Sequence, residues 1–181
     1  MARKKPEPAA SPEPQSDLDL RSGTYEGPLQ HEVKRFDIFL VDTGWNGPVS
    51  KAVRQHLPLV YQYQRQDTLY ILTPEQSVAV LKHAPYMIGH DPTILVYDQY
   101  ASKEQTSDPE DRNYRGFRLN LGLIRHPEPA LARLNEFVRF VAEYRTAECL
   151  SREVKREMHR EGFNGIVKIL REGLEASVEL V

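Results

Sequence analysis

The sequence predicts an α/β domain in the order βαβαββα, with a mixed four-stranded sheet and a C-terminal helical extension. Three observations carry this. Two β-rich apolar runs, at 36–42 and 68–73, are each followed by a helical pattern, which favours parallel neighbours. A third run, Pro92-Thr-Ile-Leu-Val-Tyr97, opens on a proline, one of the few places a strand tolerates it. A fourth run, Phe117-Arg-Leu-Asn-Leu-Gly-Leu-Ile124, follows the third with no intervening helix and so pairs with it as a hairpin.

Each element has a local cause. Residues 1–30 hold Pro6, Pro8, Pro12, Pro14 and Pro28 and a single aromatic, Tyr25. Such a stretch cannot propagate a helix and has little to bury, so a disordered tail is expected. Phe36-Asp-Ile-Phe-Leu-Val-Asp42 is apolar on both faces near its middle, as in a central strand. Gly44, Gly47 and Pro48 end it. Val49, Val53 and Leu57 then recur at helical spacing until Pro58, where the helix is expected to stop or kink. Thr68-Leu-Tyr-Ile-Leu-Thr73 is the second strand. Thr73, Pro74 and Gln76 spell a capping box with proline in the first turn, and the helix runs towards Pro85.

Residues 98–116 are polar and turn-rich, a loop of unusual length. Pro127 and Pro129 introduce a strong helix carrying Leu131, Leu134, Phe137, Val138 and Val141. Beyond Tyr144 a narrow stripe of Leu150, Val154 and Met158 lies beside charged rows Arg152/Arg156/Arg160 and Glu153/Glu157/Glu161. Phe163, Ile166, Val167, Leu170 and Leu174 read as a last amphipathic helix. The expected organisation is therefore a tail at 1–30, a domain at 31–146 and a helical extension at 147–181. Leu150, Val154, Met158, Ile166 and Leu170 are its candidate interface, for packing within the chain or for a seam with another copy.

Composition narrows the chemistry. Basic and acidic side chains number 24 and 26, so the basic surplus of a nucleic-acid binder is absent. No apolar run reaches the eighteen or so residues of a membrane helix, and no secretory signal is visible. The single cysteine, Cys149, cannot form an internal disulfide, and a cytoplasmic location is expected. Six scattered histidines form no metal-binding motif, and no glycine-rich phosphate loop occurs, so no metal and no cofactor is expected.

Leu40-Val-Asp-Thr-Gly-Trp-Asn-Gly-Pro-Val49 resembles the thioredoxin active-site region, where a strand ending in Val-Asp leads to Trp-Cys-Gly-Pro-Cys at a helix start. Asp91-Pro-Thr-Ile-Leu-Val-Tyr97 resembles the segment in which a cis-proline opens that family's third strand. The resemblance covers roughly residues 36–144. Trp45, Gly47 and Pro48 match the redox motif, and Pro92 matches the cis-proline. Asp42 stands for the family's buried aspartate, with two residues missing before Trp45. Asn46 and Val49 occupy the two cysteine positions. Thiol–disulfide exchange needs an attacking thiolate and a resolving thiol, so the resemblance implies a thioredoxin-like member without redox activity.

What the family retains without sulfur is a peptide-holding surface. Trp45, Asn46, Gly47, Pro48, Asp91, Pro92 and Thr93 would line it, with backbone beside Pro92 turned out to a guest strand. The expected role is a non-catalytic adaptor, assembly factor or structural subunit that binds another protein or a copy of itself. Three alternatives stay open. A small enzyme, a TIR-like one among them, would use Asp42 and His90 in a pocket under a 98–116 lid. A glutathione-transferase-like enzyme would use Ser50, and a homo-oligomer would use residues 147–181.

Overall fold

The computed structural model describes residues 23–25, 34–64, 67–101, 113–160 and 165–171. In chain order these form β1 (Gly23–Tyr25), β2 (Phe36–Val41), α1 (Gly47–Gln64), β3 (Thr68–Ile71), α2 (Pro74–His83) and β4 (Thr93–Asp98). There follow β5 (Tyr114–Asn120), α3 (Pro127–Glu143), α4 (Leu150–Arg160) and β6 (Val167–Arg171). Short 3-10 turns lie at Pro85–Met87 and Leu121–Leu123.

One mixed sheet runs in the order β1-β3-β2-β4-β5-β6. β2 and β3 are parallel, and β2–β4, β4–β5 and β5–β6 are antiparallel. The α/β class, the parallel β2–β3 pair and the antiparallel β4–β5 hairpin are as expected; the antiparallel β2–β4 pair, where the helix between strands led to a parallel neighbour, and the strand count are not. Five strands of four to seven residues form the body of the sheet, and the three-residue β1 adds an edge against β3. Residues 23–25 thus belong to the sheet rather than to a disordered tail; the rest of 1–30 lies outside the described residues, as does most of the 98–116 loop.

Three further expectations are corrected. First, α1 runs through Pro58 to Gln64. Val49, Val53, Leu57 and Tyr61 are all buried at fourfold spacing. Burying one such side chain stabilises by about 1.5–3 kcal/mol, so the stripe outweighs the roughly 3 kcal/mol that an internal proline costs.

Second, the last element is a strand. Gly165 turns the chain with φ +87°, and Val167–Arg171 then pairs with β5. Val167 enters one core layer and Leu170 the opposite one. Residues three apart share a face on a helix and oppose each other on a strand, which separates the two readings. The unpaired edge of β5 is the physical reason: its backbone donors and acceptors gain partners only from a strand.

Third, of the two roles open to the expected interface residues, packing within the chain is the one seen and the seam is not. Leu150, Val154 and Leu170 are buried, and Met158 and Ile166 pack against the core from its margin. They form no free seam.

The core has two layers. Phe36, Ile38, Leu40, Ile94, Val96, Phe117 and Leu119 face α1, α3 and α4, whose contributions include Val53, Leu134, Phe137 and Leu150. Phe39, Val41 and Leu95 face α2, with Val80, Leu81 and Met87. The capping box of α2 forms as read: Gln76 backbone N donates to Thr73 Oγ1 at 3.2 Å, and Thr73 N donates to Gln76 Oε1 at 2.8 Å.

A buried ionic clasp closes one end of the sheet. Arg35 is 3% exposed and grips Asp98 through Nε at 3.1 Å and Nη2 at 2.9 Å. Its Nη1 donates to the carbonyls of Arg145 at 2.6 Å and Ala147 at 2.7 Å. Asp67 accepts from the backbone of Arg35 and Phe36 and pairs with Arg145. Arg35→Ala strands a buried carboxylate and is expected to cost about 3–5 kcal/mol in urea unfolding; a loss below about 1 kcal/mol would show that the clasp is not structural.

Candidate functional site

The opposite end of the sheet is built from three loops. The first, residues 42–46, follows β2. The second, residues 88–92, precedes β4. The third, residues 121–126, follows β5. The pairing Val41↔Thr93 and Thr93↔Asn120 puts their roots side by side.

Hydrogen bonds tie the loops to one another. Asp91 Oδ2 accepts from Thr43 N at 2.9 Å and from Thr43 Oγ1 at 2.5 Å. Asn46 Nδ2 donates to the carbonyls of Gly122 at 3.3 Å and Ile124 at 3.5 Å. Gly122 N donates to the carbonyls of His90 at 3.0 Å and Pro92 at 3.1 Å, and Leu121 N reaches Pro92 at 2.9 Å. Gly122 is required by space: a Cβ there would stand 2.2 Å from the Asp91 carbonyl oxygen and 2.5 Å from that of His90.

The Asp91–Pro92 peptide is cis. Its neighbouring backbone is not turned out to a guest, however. The Pro92 carbonyl is taken by Leu121 and Gly122, and Asp91, Pro92 and Thr93 are all buried. These three support the surface and do not line it. Of the expected lining, Trp45, Gly47 and Pro48 are exposed and Asn46 is half-buried.

Two exposed residues were not anticipated. Ile88 is 64% exposed and Leu123 is 46% exposed, beside Trp45 at 57%. Each of the three tied loops therefore presents one large apolar side chain to solvent. Neither Ile88 nor Leu123 belongs to a motif, and Leu123 reads as part of an alternating strand. The one available signal was Gly122, since a glycine in a strand pattern marks close backbone approach.

Asp42 and His90 do not line the same described pocket. Asp42 is fully buried, with Oδ2 on Arg54 Nε at 2.5 Å and Oδ1 accepting from Gly44 N at 2.9 Å. A shallow open depression of about 340 Å³ beside it is lined by Asp42, Ser50, Lys51 and Arg54 with neighbouring loop and helix residues, and His90 is not among them. Ser50, needed at the surface by a glutathione-transferase-like reading, is 3% exposed. Cys149 is half-buried near Ser151 Oγ at 3.3 Å, just after the Ala147 carbonyl that Arg35 holds, so it stands at the other end of the sheet from Trp45.

Comparison with protein-family models, curated proteins and solved structures returns no match. Among the described residues no group of three or more metal-ligating side chains gathers, and no helix is long and apolar enough to cross a membrane.

The His90 imidazole, in the second loop, holds its proton less readily than a free one. Burial first, then Arg118 and Lys168, press its pKa below the ordinary 6.5, while Asp91 opposes them weakly. The unfolded chain therefore binds a proton that the folded chain resists, and stability falls as pH drops below about 6.5. Urea midpoints measured at pH 7.5 and 5.5 are expected to differ more for the wild type than for His90→Gln; equal differences would remove His90 from this account. Gly122→Ala forces the three loops apart and is expected to cost about 1–3 kcal/mol in the same assay, against no change if the loops are not packed as described.

Proposed function

We propose that this chain is a redox-inactive thioredoxin-like module that binds a protein partner through the Trp45 end of its sheet. The observation that carries the reading is the trio Trp45, Ile88 and Leu123, held out by three loops that hydrogen-bond to one another. Side chains so exposed lower no energy in the free chain, whereas an apolar cluster on a rigid base is what a partner can desolvate. Tryptophan is the commonest anchor of such interfaces.

Several features support the thioredoxin-like part of the reading. The central pair is parallel and flanked by antiparallel strands, in the order β1-β3-β2-β4-β5. α1 starts directly after Trp45 and Asn46, and the Asp91–Pro92 cis peptide lies against the same loop. Asn46 in a cysteine position carries no thiol to form a mixed disulfide, and here its amide ties the start of α1 to the third loop instead. The partner is met by side chains rather than by strand addition, because the backbone near Pro92 is already paired. An adaptor or assembly role in a reducing cytosol fits a chain with one cysteine.

The test is affinity capture from the native cell with wild type, Trp45→Ala and Leu59→Ala. Leu59 is also exposed, at 50%, but lies about 18 Å along α1 from its start. Trp45→Ala is expected to weaken capture by about thirtyfold, or ~2 kcal/mol, with an unchanged thermal midpoint. Leu59→Ala is expected to leave it intact. Equal capture by all three chains would end the docking reading, and disulfide reductase activity in the purified protein would end the redox-inactive one.

A further inference from the structure

The depression of about 340 Å³ beside Asp42 lies between the loop after β2 and the first turns of α1, where Gly47, Ser50, Lys51, Arg54 and Gln55 line it. Ser50 and Arg54 are four residues apart, as are Lys51 and Gln55, so the two pairs form neighbouring rows on one face of the helix. Arg54 shows where that face is directed: its Nε binds Asp42 Oδ2, and its Nη2 binds the carbonyls of Asp42 at 2.9 Å and Leu72 at 3.1 Å.

Ser50 is the group this packing leaves unexplained. It is 3% exposed, and its Oγ has no hydrogen-bond partner. A serine inside a helix can return its hydroxyl to the carbonyl four residues back. Here the Asn46 carbonyl accepts the Ser50 backbone N at 3.0 Å and receives nothing from the hydroxyl. A buried hydroxyl left in that state is costly, and an oxygen atom seated in the depression would complete it after a turn about χ1.

The electrostatics select an anion. α1 is 18 residues long with no acid in its first turn, so the positive end of its dipole is uncompensated. The Gly47 and Val49 amides belong to that turn, where no carbonyl of the helix can accept them. Asp42 is the one carboxylate of the lining, and both its oxygens are engaged, Oδ2 by Arg54 and Oδ1 by Gly44 N. Asp42 and Arg54 cancel, which leaves the charge of the exposed Lys51.

We propose that this depression binds a tetrahedral oxyanion, the phosphoryl group of a phosphate monoester or of free phosphate. Ser50 Oγ and the Gly47 and Val49 amides donate to its oxygens, and the Lys51 ammonium faces its charge. Donors so spread around one point suit a tetrahedral group better than a planar carboxylate with two oxygens. The site adjoins the Trp45 surface and does not depend on the docking role given to it.

The test is titration of the full-length protein with inorganic phosphate and, separately, with phenyl phosphate, at an ionic strength held constant with sodium chloride. Binding is read from the amide resonances of Gly47, Val49 and Ser50, which are expected to shift and saturate. Ser50→Ala is expected to raise the Kd for phosphate about tenfold. The same substitution is expected to raise the thermal midpoint of the free protein, since it removes a buried hydroxyl that nothing satisfies. A serine needed only for packing would change stability and leave the Kd where it was. Lys51→Ala is expected to raise the Kd about threefold without altering circular dichroism. Tighter binding of phenyl phosphate supports the site and names a monoester as its ligand; binding no tighter than that of phosphate supports it and names the free ion. Shifts that fail to saturate, or that sodium chloride alone reproduces, overturn the proposal. So does a Ser50→Ala chain that binds phosphate as the wild type does.

Discussion

A single buried guanidinium fixes how the layers of this molecule meet. Arg35 spends its donors on the Asp98 carboxylate and on the carbonyls of Arg145 and Ala147. A charge taken out of water is tolerated only when such partners are complete, so all of them must be in place together. That requirement joins the start of β2, the end of β4 and the turn after α3. It also aims the chain into α4, whose Leu150 and Val154 complete the core over β5 and β6. Leu150 and Val154 of α4 and Val167 and Leu170 of β6 are consequently packed into the same core as the strands before them.

The two ends of the sheet are thus closed by different physics. At the Arg35 end, ion pairs and buried carbonyls do the joining. At the Trp45 end, the Asp91 carboxylate, the Asn46 amide and backbone hydrogen bonds tie three loops together while apolar side chains stay outside. Rigidity there comes from Gly122, whose missing side chain lets the third loop lie on the carbonyls of His90 and Asp91. A preformed apolar surface loses little freedom when something lands on it, which is the condition for useful affinity from a small area.

Legibility in the sequence followed how local each cause was. β2 to β5 announced themselves through apolar runs bounded by glycine and proline, and α2 through a capping box written in four consecutive residues. β6 was hidden because its apolar spacing also fits a helix; what decides it is the open edge of β5, a fact about the finished sheet. Pro58 misled for a similar reason, since the stripe that carries α1 past it becomes decisive only against a packed core. In the site, Trp45 and the cis Asp91–Pro92 bond could be read from motifs. The roles of Ile88, Leu123 and Gly122 could not, because they arise where loops far apart in sequence come together. Asp91 was legible as a position but not as a support: nothing in the sequence pairs it with Thr43.

The strands at the two rims of the sheet, β1 and β6, come from opposite extremities of the described chain. During synthesis residues 167–171 leave the ribosome well after β5, whose outer edge is bare until then. A bare edge templates pairing with any extended polypeptide nearby. The nascent chain therefore passes through an interval in which that edge is open, and β6 acts as a seal whose arrival ends the exposure.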